Sequence, residues 1–177
     1  MLQENGDCFV KIVMIGNTFV GKSSLMERFD KDSCEEKRLL TVGTEFLLTR
    51  RRVFGIDTHV QFRDQAGNER YRTTTRAFYE GAHWLIIIYD VTNSDSFENV
   101  STKWLKEIET YKLATPKLLI GNKSDLESLR TVKREDGQQL ANEIGALFYE
   151  ISTKTGANCE ECMMDIISQA LWKINEQ

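Results

Sequence analysis

Short apolar runs alternate along the chain with stretches whose apolar positions recur every three to four residues, which predicts strands and helices in turn. Residues 8–15 (Cys-Phe-Val-Lys-Ile-Val-Met-Ile) read as a buried strand, followed by a glycine-bounded loop and a helix from about Lys22 to Phe29. Two strands follow, Thr44–Phe54 and Thr58–Phe62, with Gly55-Ile56-Asp57 as the turn of a hairpin. Trp84–Tyr89 is short, branched and apolar, the character of a parallel strand covered on both faces. Lys117–Ile120 and Leu147–Ile151 repeat it. Helical patterns occupy Asn68–Glu80, Ser94–Tyr111, Lys133–Ile144 and Asn158–Ile174. The second of these opens on a capping region, Ser94-Asp95-Ser96-Phe97-Glu98, and carries Trp104, Leu105, Ile108 and Tyr111 as a core stripe. Strand–helix alternation of this kind gives an α/β fold with a mostly parallel sheet, whose ligands sit at the carboxyl ends of the strands.

Composition narrows the picture only slightly. A chain of 177 residues fits one domain and buries on the order of 70% of its unfolded surface, so it needs no disulfide or metal to fold. No repeat or low-complexity linker divides it, and residues 1–177 read as a single domain. With 41% hydrophobic and 28% charged residues it has the balance of a soluble globular protein. A net charge of -4 disfavours a nucleic-acid partner but permits a nucleotide, for which one basic loop suffices. Cys159 and Cys162 form a CxxC, yet His59 and His83 are distant and no second CxxC exists. Both cysteines fall in the last helical pattern, so their spacing places them on one buried face. The chain shows no signal peptide and no apolar run of about 20 residues, and is expected to be cytoplasmic with reduced thiols.

Candidate chemistry changes the picture most. Gly16-Asn17-Thr18-Phe19-Val20-Gly21-Lys22-Ser23 fits the pattern GxxxxGK followed by Ser or Thr, between a strand and a helix. Glycines let the backbone wrap phosphates with its N–H groups, and the following helix adds the positive end of its dipole. Lys22 supplies charge to the β- and γ-phosphates and Ser23 a hydroxyl to Mg²⁺. Residues Gly16 through Ser23, with Ser24 after them, form the expected phosphate-binding set.

Asn122-Lys123-Ser124-Asp125 follows another strand. A carboxylate accepts hydrogen bonds from both the N1–H and the exocyclic amine of guanine, a donor pair that adenine lacks. Buried matching of this kind discriminates by roughly 10⁴-fold, so Asp125 is the candidate for base specificity. Ser152-Thr153-Lys154, after the last strand, covers the same base beside Asn122 and Lys123. Asp64-Gln65-Ala66-Gly67 also ends a strand, where Asp64 can hold Mg²⁺ through a water and Gly67 can bring an N–H to the γ-phosphate.

Together these residues resemble the Ras superfamily from about Phe9 to Leu171, and within it the Rab family. Thr41-Val42-Gly43-Thr44-Glu45-Phe46 is similar to the Rab effector-region signature. Asn68-Glu69-Arg70-Tyr71-Arg72-Thr73 and Ala77-Phe78-Tyr79-Glu80-Gly81-Ala82-His83 match the Rab form of the second switch. The resemblance implies a P-loop GTPase G domain: an α/β sheet of about six strands with one antiparallel edge strand, flanked by about five helices. It implies that Thr41 joins Ser23 and Asp64 around Mg²⁺ and that Lys22, Thr41, Gly67 and Asn68 serve GTP hydrolysis to GDP. It implies an exchange factor, an activating protein and effectors that bind the switches, and a role in vesicle traffic. Rab proteins attach to endomembranes through a lipidated tail. The chain ends at Gln177 without the terminal cysteines of that tail, which is expected to reflect truncation.

Three positions depart from the family pattern. Asn68 stands where Gln usually orients the attacking water, and an amide one methylene shorter predicts slower hydrolysis. Cys34 stands where an aromatic ring commonly stacks on guanine, and its loss predicts faster nucleotide release. Phe19 replaces a small residue, and its ring either restricts the loop or covers the ribose. A second function therefore stays open: a nucleotide-binding interaction module with negligible turnover. A small-molecule kinase would need an acceptor site and an Arg-rich lid, and no inserted segment supplies them.

Overall fold

A computed structural model of the protein describes residues 8–31, 38–41, 44–64 and 76–175. Its centre is β1 (Cys8–Gly16), flanked by β4 (Ile56–Asp64) and β5 (Trp84–Asp90), with which it pairs in parallel. Beyond β5 follow β6 (Lys117–Asn122) and β7 (Ala146–Glu150), both parallel. On the other side, β3 (Thr44–Val53) runs antiparallel to both β4 and β2 (Arg38–Thr41). The sheet order is β2-β3-β4-β1-β5-β6-β7, seven strands against the six read from the pattern. The additional strand, Arg-Leu-Leu-Thr, is too short to show alternation, and only its pairing with β3 reveals it. The reversed strand therefore lies one place in from the edge.

Strands covered on both faces explain the continuous apolar runs. In β1, Val10, Ile12 and Met14 face one cluster while Val13 and Ile15 face the other, and β5 divides Trp84, Ile86 and Ile88 from Leu85, Ile87 and Tyr89 in the same way. The first cluster is closed by α1 (Lys22–Lys31) and α6 (Cys159–Asn175). The second is closed by the helical stretch from Ser94 to Thr110 and by α5 (Arg134–Glu143). Each buried Leu, Ile or Val contributes about 1.5–3 kcal/mol. Cys159, Cys162, Met163, Ile166, Ile167, Ala170 and Leu171 form the buried stripe of α6. The CxxC is thus a helix-face spacing, and burial pushes the Cys159 thiol up to about 11.

Local chemistry moved three boundaries. The β3–β4 turn is Phe54-Gly55, since Val53 already pairs with Ile56 and Arg52 with Asp57. Both turn residues have positive φ, 52° and 81°, as the right-handed strand twist favours in a two-residue hairpin, so Ile56 and Asp57 belong to β4. The helix at Ser94 is capped one residue earlier than expected, by Asn93, whose Oδ1 accepts the Ser96 N–H at 3.1 Å. That stretch comprises α3 (Ser94–Asn99), a π turn over Val100–Trp104 and α4 (Leu105–Thr110). Of the helix expected over Asn68–Glu80, the described residues hold α2 (Arg76–Tyr79).

Candidate functional site

Five strand ends and one helix start converge at the carboxyl edge of the sheet. The loop leaving β1 needs its glycines for space: a Cβ on Gly16 would lie 2.3 Å from the Ile88 carbonyl, and one on Gly21 would lie 2.1 Å from Asn122 Nδ2. Both also hold positive φ, 148° and 101°. Val20 is buried in the core, so only its backbone serves the loop, while Thr18 and Ser24 are exposed. Phe19 adopts φ 64° and leaves its ring 88% exposed.

Lys22 opens α1 and folds its amine back into the loop, donating to the carbonyls of Gly16 at 3.2 Å and Asn17 at 2.9 Å. Ser23 follows, and its hydroxyl donates to Asp64 Oδ2 at 2.7 Å. Asp64 ends β4, so the parallel pairing of β1 with β4 brings hydroxyl and carboxylate together from 41 residues apart. Two hard oxygen donors beside this loop fit a Mg²⁺ ion by donor type. Thr41 closes β2, whereas Gly67, Asn68 and Cys34 lie outside the described residues.

On the base side, Asn122 ends β6 with a side chain 0% exposed. Its amide donates to the Val20 carbonyl at 2.8 Å and to Thr153 Oγ1 at 3.2 Å, and its oxygen accepts the Thr153 N–H at 3.1 Å. Asn122 therefore ties the loop after β1 to the loop after β7. Asp125 is exposed, and one of its oxygens accepts the Ser152 hydroxyl at 2.6 Å. That hydroxyl is itself fixed, because it accepts the Thr155 N–H at 3.0 Å. The residues named for phosphate, base and metal thus share one edge, with carboxylate acceptor and amine donor held by their neighbours.

A sequence profile of the Ras family matches residues 11–172 of this chain. The chain belongs to the Ras family. It is 42% identical to the Ras-related protein RIC1 of Oryza sativa subsp. japonica, over 92% of this chain and 81% of that protein. It is 43% identical to the Ras-related protein RABD2a of Arabidopsis thaliana, over 89% and 78% of the two chains. To the GTP-binding protein ypt2 of Schizosaccharomyces pombe it is 40% identical over 94% and 83%. This Ras-family chain is a small GTPase, an enzyme that hydrolyses GTP, and the family binds GTP or GDP with Mg²⁺.

Three supporting residues of this Ras-family chain carry little sequence signal. Arg28, on α1, donates from Nε to the Thr153 carbonyl at 2.7 Å and from Nη2 to the Lys154 carbonyl at 2.8 Å. Gly156 leaves room for it, since a Cβ there would lie 2.8 Å from Arg28 Nη1. Asp90, ending β5, holds the Lys123 amine at 2.5 Å and accepts both the N–H and the hydroxyl of Thr92. Burial alone would raise the Asp90 carboxyl, but bonds from Lys123 and Thr92 outweigh it and hold the group below its ordinary value. Trp104, read as part of a core stripe, also donates its indole N–H to Asn17 Oδ1 at 3.0 Å. An acidic residue at a strand end could have been flagged in advance; the Arg and Trp contacts could not.

Proposed function

We propose that residues 1–177 form one G domain that works as a Rab-like GTP/GDP switch in membrane traffic. In this reading the loop amides from Gly16 to Ser24 hold the phosphates, and Lys22, held over the loop by its carbonyl partners, turns its remaining N–H to the β- and γ-oxygens. Ser23, Thr41 and Asp64 hold Mg²⁺, which when bound neutralises phosphate charge. Asp125 reads guanine, supported by Asn122, Lys123, Ser152, Thr153 and Lys154. Gly67 and Asn68 serve the hydrolytic step. The observation that carries this reading is the Asn122 bridge, because joining the loop after β1 to the loop after β7 supports their serving as two ends of one ligand site.

Base exchange tests it directly. Xanthine carries a carbonyl where guanine carries the exocyclic amine, so Asp125→Asn should bind XDP in preference to GDP. Retained GDP preference in that variant would remove Asp125 from the base site.

Cycling is proposed to be slow in hydrolysis and fast in exchange. Asn68→Gln should raise single-turnover GTP hydrolysis, and Cys34→Phe should slow release of a fluorescent GDP analogue. An unchanged or slower rate in the first, or unchanged release in the second, would count against these points. If neither the protein alone nor the protein with cell extract releases phosphate, the second reading holds, a nucleotide-binding interaction module.

The partners of this reading are an exchange factor, an activating protein and effectors on the switch segments, with no nucleic acid. The named relatives include proteins called Ras-related and GTP-binding, which supports the Rab type of switch. No helix among the described residues is long and apolar enough to cross a membrane. Cytoplasmic residence with peripheral attachment to endomembranes through a lipidated tail fits the same reading.

A further inference from the structure

The helical stretch from Ser94 to Thr110 is interrupted by a π turn at Val100–Trp104, closed by the Leu105 N–H on the Val100 carbonyl. Single π turns inside α-helices are rare and frequently lie at functional sites. Here the interruption ends on Trp104, 4% exposed, whose indole donates to Asn17 Oδ1 at 3.0 Å. Asn17 is the second residue of the phosphate loop, and its own carbonyl accepts the Lys22 amine at 2.9 Å. A donor on a distant helix, the Asn17 side chain and the carbonyl receiving Lys22 thus form one continuous chain of contacts.

The base of that chain is packed in the core. Val100 and Ile108, on either side of Trp104, are buried in the same cluster as Ile15 and Ile87 of the central strands. A residue serving only to fill this core would need no N–H, because a buried indole donor requires a partner that Phe or Leu does not.

We propose that Trp104 is a positioning residue for the phosphate loop: by holding Asn17 it orients the carbonyl that receives Lys22, and so slows nucleotide release. This rests on Gly16–Ser23 being the phosphate loop. The contact spans 87 residues of sequence and joins the loop to a helix on the opposite layer from α1.

The test is GDP release from the full chain with Mg²⁺, followed with a fluorescent GDP analogue. The comparison uses the natural protein, Trp104→Phe, Asn17→Ala and the double variant. Trp104→Phe should release about five-fold faster, the size one hydrogen bond supports. The double variant should release no faster than the faster single variant, because both remove the same contact. A purely structural Trp104 would instead lower the nucleotide-free melting temperature and add its effect to that of Asn17→Ala; additivity, or unchanged release, overturns the proposal. If Trp104→Phe does not fold, benzothienylalanine at position 104 keeps the ring shape and removes only the N–H, with the same expectation. Lys22→Ala separates the underlying reading: if it leaves GDP binding intact, the phosphate-loop assignment fails and the proposal falls with it. If it abolishes binding while release stays indifferent to Trp104, only the positioning role fails.

Discussion

The side-chain amide of Asn122 donates a 2.8 Å hydrogen bond to the carbonyl of Val20, 102 residues earlier in the chain. Its other end accepts the Thr153 N–H, so one buried side chain joins the loops after β1, β6 and β7. Removing it strands a buried carbonyl and an amide, each costing about 1–3 kcal/mol. Asn122→Ala should therefore lose about 3 kcal/mol in urea unfolding without nucleotide. Asn122→Asp should lose at least as much, since it keeps the acceptor for the Thr153 N–H but loses the donor to Val20 and Thr153 Oγ1 and buries a carboxylate against the Val20 carbonyl.

In the proposed base site Ser152 holds Asp125 and need not touch the base itself. Its hydroxyl fixes one carboxylate oxygen at 2.6 Å. Ser152→Ala frees that carboxylate to rotate, at a cost of about 1 kcal/mol in ligand binding. The preference for GDP over IDP should fall several-fold, with little change in affinity for phosphate-only ligands. Competition binding with the two nucleotides measures it.

Phe19 holds left-handed backbone at φ 64° with its ring 88% exposed. That conformation costs a non-glycine residue about 1–2 kcal/mol, partly offset in a glycine variant by about 0.5–1 kcal/mol of backbone freedom. Phe19→Gly should stabilise the nucleotide-free protein by about 0.5–1 kcal/mol. Phe19→Ala keeps the strain and loses no packed contact, so its unfolding midpoint should match the natural protein.

Asp90 gives a pH signature. Its folded carboxyl sits below the ordinary value, despite burial, because Lys123 and Thr92 hold the charged form. A depressed carboxylate contributes stability that is present above the unfolded pKa and lost as pH falls through the folded one. The loss should begin below about pH 4, the ordinary carboxylate range. Denaturation midpoints between neutral and acid pH should fall more steeply for the natural protein than for Asp90→Asn, which has no charge to lose.

Much of this architecture was readable in advance because its signals are local. Gly16, Gly21 and the Lys22-Ser23 pair declare a loop that only certain backbones can make, and apolar runs such as Trp84–Tyr89 declare strands covered on both faces. The errors were local as well, and small. A four-residue edge strand carried no period, the Phe54-Gly55 turn hid a positive φ on a residue that rarely adopts one, and Asn93 capped a helix that Ser94 also could have started. Trp104 shows a different kind of gap: its helical spacing was read correctly as core, yet spacing says nothing about where an N–H points.

Periodicity was enough for the α/β class, and motif spacing was enough to name the glycine-bounded loop and the candidate residues at the strand ends, since each depends on neighbours within a few positions. The contacts that hold those residues in place did not follow from them. Arg28 with Thr153, Asn17 with Trp104, Val20 with Asn122 and Ser23 with Asp64 join segments 125, 87, 102 and 41 residues apart. Hydrogen bonds are short and directional, so such pairs exist only once the order of strands and the rotation of helices have been set by packing the whole core.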